Sequence, residues 1–83
     1  MGLFKSKYER ELDSIIAEIN MNMANNYKDN AQAGLRELEQ RFEEIKVEGG
    51  LKAKAVEEYG KIVQGYRERL KGYSHKDQKP YWT

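Results

Sequence analysis

Three runs of apolar residues, each stepping by three and four, constrain this chain more than any other feature. In the first, Tyr8, Leu12, Ile15, Ile16, Ile19, Met23 and Tyr27 recur at the spacing that puts side chains on one face of a helix. In the second, Ala31, Leu35, Leu38, Phe42 and Ile45 alternate four and three apart, a narrow stripe like one side of a coiled coil. Ala55, Tyr59, Ile62, Val63, Tyr66 and Leu70 form the third. A helix with one oily stripe hides it only against another such surface. The pattern therefore predicts an all-α fold, an antiparallel three-helix bundle.

Helix-breaking residues between the stripes set the boundaries. Helices are expected over about 6–26, 30–47 and 51–71, with residues 1–72 forming the bundle and 73–83 an extended aromatic C-terminal tail. Ser6 followed by Glu9 has the form of a capping box. Asp29 is a good N-cap, with Gln32 three residues on. Gly49-Gly50 ends the second helix, because glycine takes the left-handed conformation at little cost, and Gly72 reads as the cap of the third. The segment Asn25–Asn30 is ambiguous. Its asparagines and aspartate favour a turn, yet the step Met23, Tyr27, Ala31, Leu35 runs straight through it. The alternative is one helix from Ser6 to Val47, a long helical hairpin that buries its face by dimerising.

Composition narrows the function. With 83 residues the chain is one domain with a modest core. It has no cysteine, which excludes disulfides, thiolate nucleophiles and cysteine zinc sites. No apolar run approaches the ~18–20 residues needed to span a bilayer, and Met1–Lys5 lacks the apolar segment of a signal peptide. A cytoplasmic protein with no membrane partner is expected. Fifteen basic and fourteen acidic residues leave a net charge of +1, which suits solvated helix faces laced with ion pairs and argues against a polyanionic partner. The distribution is uneven. Residues 29–48 hold six acids and three bases, net −3; residues 67–83 hold five bases and two acids, net +3. These regions are expected to attract each other, within one fold or between two copies.

No motif carries catalysis, and neither a metal nor a cofactor is expected. His75, the single histidine, has no second ligand at helical spacing. Glu43-Glu44 and Glu57-Glu58 are adjacent in sequence, so their side chains diverge around a helix. Met1–Ser6 matches the acylation pattern M-G-x-x-x-[ST], which supplies a membrane-surface alternative. A second, weaker stripe consists of Ala17, Met21 and Ala24 on the first helix and Val56, Gly60 and Val63 on the third. Gly60 and Gly65 each cost roughly 1 kcal/mol relative to alanine inside a helix, and close approach of another helix would explain them. The stripe is thus a candidate helix–helix interface, within the bundle or in a homodimer. In the tail, Tyr73, Lys79, Pro80, Tyr81 and Trp82 are the candidate partner-binding residues. Pro80 stiffens the chain before two aromatics of the kind that dominate binding energetics, and these dock either on their own bundle or on a partner. Arg67, Arg69, Lys71, Lys76 and Lys79 among Tyr66, Tyr73, Tyr81 and Trp82 supply a nucleic-acid alternative. The function expected from the sequence is a non-catalytic helical interaction, adaptor or regulatory module whose partner is another protein or a second copy.

Overall fold

The computed structural model describes residues 5–74. Three helices account for most of them: α1 (Lys7–Ala24), α2 (Lys28–Glu48) and α3 (Ala53–Ser74). No strand occurs among the described residues. α1 opens with the predicted capping box. The Ser6 hydroxyl accepts from the Glu9 N–H at 3.2 Å, and the Glu9 carboxylate accepts from the Ser6 N–H at 2.8 Å. Two donors that a helix start leaves free are thereby satisfied.

The chain does break between α1 and α2, so the fold is the bundle and not the long hairpin. Asn26 adopts the left-handed conformation at φ 64°, a region asparagine tolerates better than most residues. The Asn26 N–H donates to the Met23 carbonyl at 3.2 Å and the Tyr27 N–H to the Asn22 carbonyl at 2.8 Å. This bond pair is the Schellman closure of a helix end. The same pair ends α2. Gly49, at φ 78°, donates to Lys46 at 3.0 Å, and Gly50 donates to Ile45 at 2.9 Å.

Several boundaries differ from the sequence reading. The first turn is so short that α2 starts at Lys28 with Tyr27 at its N-cap, and Asp29 is not the cap. Asp29 lies in the first helical turn instead, where a carboxylate meets the positive end of the helix dipole. α3 starts at Ala53, later than expected. Leu51 lies outside the helix, and both Leu51 and Val56 pack against the core from the positions of a hydrophobic staple. Gly72 falls inside α3, so it does not cap that helix, and Tyr73 belongs to the helix and not to an extended tail. His75, Lys79, Pro80, Tyr81 and Trp82 lie outside the described residues, as does the Met1–Phe4 stretch of the acylation pattern.

Contacts between helices give their directions. Glu11 meets Arg41 while Ile19 lies against Gly34, so α1 and α2 run antiparallel. Gln32 meets Leu70 and Glu39 meets Arg67, so α2 and α3 are antiparallel too. α1 and α3 are therefore parallel. Backbones approach most closely between α1 and α2, less between α2 and α3, and little between α1 and α3. α2 is the central element. The core holds Leu12, Ile15 and Ile19 from α1, Ala31, Leu35, Leu38, Phe42 and Ile45 from α2, and Ala55, Tyr59, Val63, Tyr66 and Leu70 from α3. The predicted stripes supply all of these. Tyr8, Ile16 and Met23 of the first stripe are partly buried against it, and two stripe members stay exposed: Tyr27 sits at the turn and is 57% exposed, and Ile62 lies at the edge of its stripe and is 37% exposed.

The glycines carry different duties from those expected. A Cβ placed on Gly60 or Gly65 would meet nothing within 4 Å among the described residues, so neither marks a close approach of α1 or α2. A Cβ on Gly34 would sit 2.8 Å from Ile19 Cγ1, and one on Gly50 would sit 2.8 Å from both Ile45 Cγ2 and Tyr8 Cδ2. Gly34 thus marks the tight α1–α2 contact. At the second turn Gly49 supplies the left-handed backbone, while Gly50 leaves room for the Tyr8 ring. Gly60→Ala and Gly65→Ala are each expected to stabilise the fold by roughly 0.5–1 kcal/mol, read as a higher midpoint in urea unfolding followed by circular dichroism.

Candidate interaction surface

The third side of the bundle is built differently from the other two. α1 and α3 are joined chiefly by two tyrosines reaching across from α3. Both rings are buried, which obliges their hydroxyls to find partners. The Tyr59 hydroxyl donates to Asp13 Oδ1 at 2.7 Å, and the Tyr66 hydroxyl donates to Asn20 Oδ1. Lys5 Nζ donates to the other Asp13 oxygen at 2.7 Å. The Arg69 guanidinium lies 5.5 Å from the centroid of the Tyr66 ring, a cation–π distance. Asp13 and Asn20 lie off the apolar stripe of α1. Their roles become visible only once a tyrosine on the facing helix is known to lie opposite.

Burial, followed by the hydrogen bond and charge of Asp13, holds the Tyr59 phenol well above its ordinary value of 10.0. The sign of the pH effect follows. Unfolded chains release this proton near pH 10 while the folded chain keeps it, so the contribution is complete below pH 10 and fades above it. Tyr59→Phe keeps the ring and removes the hydroxyl. It is expected to cost about 1 kcal/mol at neutral pH. The variant is also expected to lose less stability than the wild type as the pH is raised through 10, measured by urea unfolding at stepped pH.

Beside these bonds lie Ala17 and Ala24, both exposed, and Ile62. Ala17 lies one turn from Asp13, and both alanines lie one turn from Asn20, so the pair sits on the α3-facing flank of α1. Met21, two residues from the fully buried Ile19, points away from the core and is 58% exposed. Val56 and Gly60 lie elsewhere. Gly60 is two turns from Arg67, whose guanidinium pairs with Glu39 of α2, so the line they form faces the α2 side of α3. Val56 packs against the core there. The structure therefore does not bring the two halves of the weaker stripe onto one surface. Tyr73 lies in the last turn of α3.

Ion pairs knit the other two sides. Arg41 of α2 binds Glu11 of α1 through Nε and Nη2, a forked contact, and reaches Glu44 at 3.0 Å through Nη1. These hydrogen bonds hold the Glu11 carboxyl below its ordinary value. The Arg67–Glu39 pair joins the basic end of the chain to its acidic middle, the attraction expected from the charge distribution, and it operates within one fold. It also engages a cation that the nucleic-acid reading needs, as do the Lys71–Glu68 pair at 3.8 Å and the stacking of Arg69 on Tyr66.

Among the described residues, no group of three or more histidine, aspartate and glutamate side chains is placed to hold a metal ion, and no helix is long and apolar enough to cross a membrane. No family model, curated protein or solved structure matches this chain.

Proposed function

We propose that the chain is a small helical interaction module that receives an amphipathic helix of another protein along its α1–α3 flank. One observation carries this reading: the flank where backbones approach least is also the flank where Ile62, Ala17 and Ala24 stand uncovered. Small residues let an incoming helix come close. Ile62 offers an apolar anchor, and Asp13, Asn20 and Arg69 form a polar rim that fixes its register. Adding a helix there would close the side now spanned mainly by tyrosines.

A photoreactive amino acid placed at Ile62 tests the proposal in living cells, with the same residue at Val47, 83% exposed on α2, as the comparison. The expected result is a crosslinked species of defined mass from position 62, absent from position 47 and lost on Ala17→Arg in a chain whose helix content is unchanged. A product of twice the chain mass would replace the foreign helix by a second copy. Equal yields from both positions would remove the reading.

A further inference from the structure

We propose that, while no partner helix lies on the α1–α3 flank, a second copy of the chain covers it, with α3 packed antiparallel against α3. The proposal rests on the reading of that flank as a docking side and adds its regulation. The second copy and the incoming helix use the same residues, so each excludes the other.

α3 itself carries the pattern that selects this occupant. Glu58, Ile62, Gly65 and Arg69 follow one another at steps of four, three and four, so they stand in one line along the helix. All four are exposed. The line lies toward α1, because Ile62 and Arg69 sit one turn before and one turn after Tyr66, whose hydroxyl meets Asn20. Turned end for end, the line is its own complement. Antiparallel pairing about the midpoint between Ile62 and Gly65 sets each Ile62 over Gly65 of the other copy and each Glu58 against the other copy's Arg69. A Cβ on Gly65 would meet nothing within 4 Å among the described residues, so the backbone there is the open hole that a projecting isoleucine requires. Arg69 rests against the Tyr66 ring at 5.5 Å, and a guanidinium stacked by its face keeps its N–H edge for a carboxylate.

The solvent edge of the line agrees. Lys61 and Glu68 stand there with opposite charges, each held only loosely within α3, by Glu57 and Lys71 at 3.8 Å. Antiparallel helices bring these edges together in complementary order. A parallel pair would do the reverse, placing Glu58 on Glu58, Arg69 on Arg69 and Gly65 on Gly65, with like charges at both ends and a void between them. The antiparallel contact is twofold and closes on itself, so it stops at two copies. One helix pair with a single large apolar residue from each side is a small interface of the transient class. An incoming helix therefore displaces the second copy, and the two-chain species belongs to the chain without its partner.

Sedimentation equilibrium of the purified chain tests the proposal. The expected mass rises from one chain toward two across the micromolar range. Glu58→Arg and Arg69→Glu each set like charges together at both ends of the pair. Each alone is expected to keep a single-chain mass at concentrations where the wild type pairs, with circular dichroism unchanged. Mixed in equal amounts, the two variants are expected to recover the two-chain mass, because the exchanged charges then meet at one end and the native charges at the other. Recovery on mixing also shows that both variants are folded. A wild type of single-chain mass throughout would overturn the proposal. So would a two-chain mass that either variant keeps alone, or variants that stay single when mixed. The crosslink from position 62 in cells is a separate readout. It persists beside a single-chain result here if only the second copy is wrong, and it is missing beside a two-chain result if only the incoming helix is wrong.

Discussion

Replacing Leu38 with alanine is expected to remove most of the stability of the fold. Leu38 is fully buried near the middle of α2, the helix that packs on both others. Truncation leaves a cavity walled by three helices whose separations are already set by other contacts. Leucine-to-alanine changes at such positions cost about 3–5 kcal/mol, the lost transfer energy plus the cavity. A domain this small is expected near the lower end of the usual 5–15 kcal/mol of total stability, so the loss would approach the whole. Urea or thermal unfolding followed by circular dichroism measures it. Ile62→Ala, which trims a side chain left partly in water, provides the contrast at under about 1 kcal/mol. A Leu38→Ala chain as stable as Ile62→Ala would mean that α2 is not the centre of the fold.

Gly34→Leu is the second large effect. The Cβ alone would lie 2.8 Å from Ile19 Cγ1. Ile19 is fully buried and β-branched, so its χ1 has little freedom to retreat. A leucine must therefore pry α1 from α2, disturbing the closest helix pair of the bundle. Overpacking of this kind costs about 1–3 kcal/mol, and the upper part of that range is expected here. Gly34→Ala sets the same clash against roughly 1 kcal/mol of gained helix propensity, so its net loss is smaller. The melting temperatures are expected to descend from Gly60→Ala through wild type and Gly34→Ala to Gly34→Leu. A Gly34→Leu chain melting at or above the wild type would contradict the α1–α2 spacing.

These glycines also mark where sequence reading stops. Period and capping chemistry located the core: Leu12, Leu38 and Phe42 are buried where the stripes place them, and Ser6 with Glu9 caps α1 as the motif requires. The intrinsic cost of glycine in a helix drew attention to Gly60 and Gly65. That cost is a property of one residue and says nothing of what stands opposite. Gly34 is needed because of Ile19, fifteen positions away, and no local rule links the two. The weaker stripe meets the same limit, because its two halves lie on different flanks. Helical period places Ala17 with Ala24, and Val56 with Gly60. Which flank of each helix faces which neighbour is set by how the three helices are arranged around one another, and on that the period is silent. Spacing alone places Tyr59 and Tyr66 in the core. Their hydroxyl partners, Asp13 and Asn20, each lie 46 residues away.

That long separation bears on how the molecule comes apart. Every extensive helix contact joins neighbours in the chain, so α1 with α2, and α2 with α3, can zip up by short-range closures. The tyrosine bridges join the first helix to the last and have the longest loop to close. They resemble a clasp across the open edge of the bundle: releasing two hydroxyl bonds would loosen α1 from α3 along that edge, while α3 keeps its buried face and its Arg67–Glu39 pair on α2.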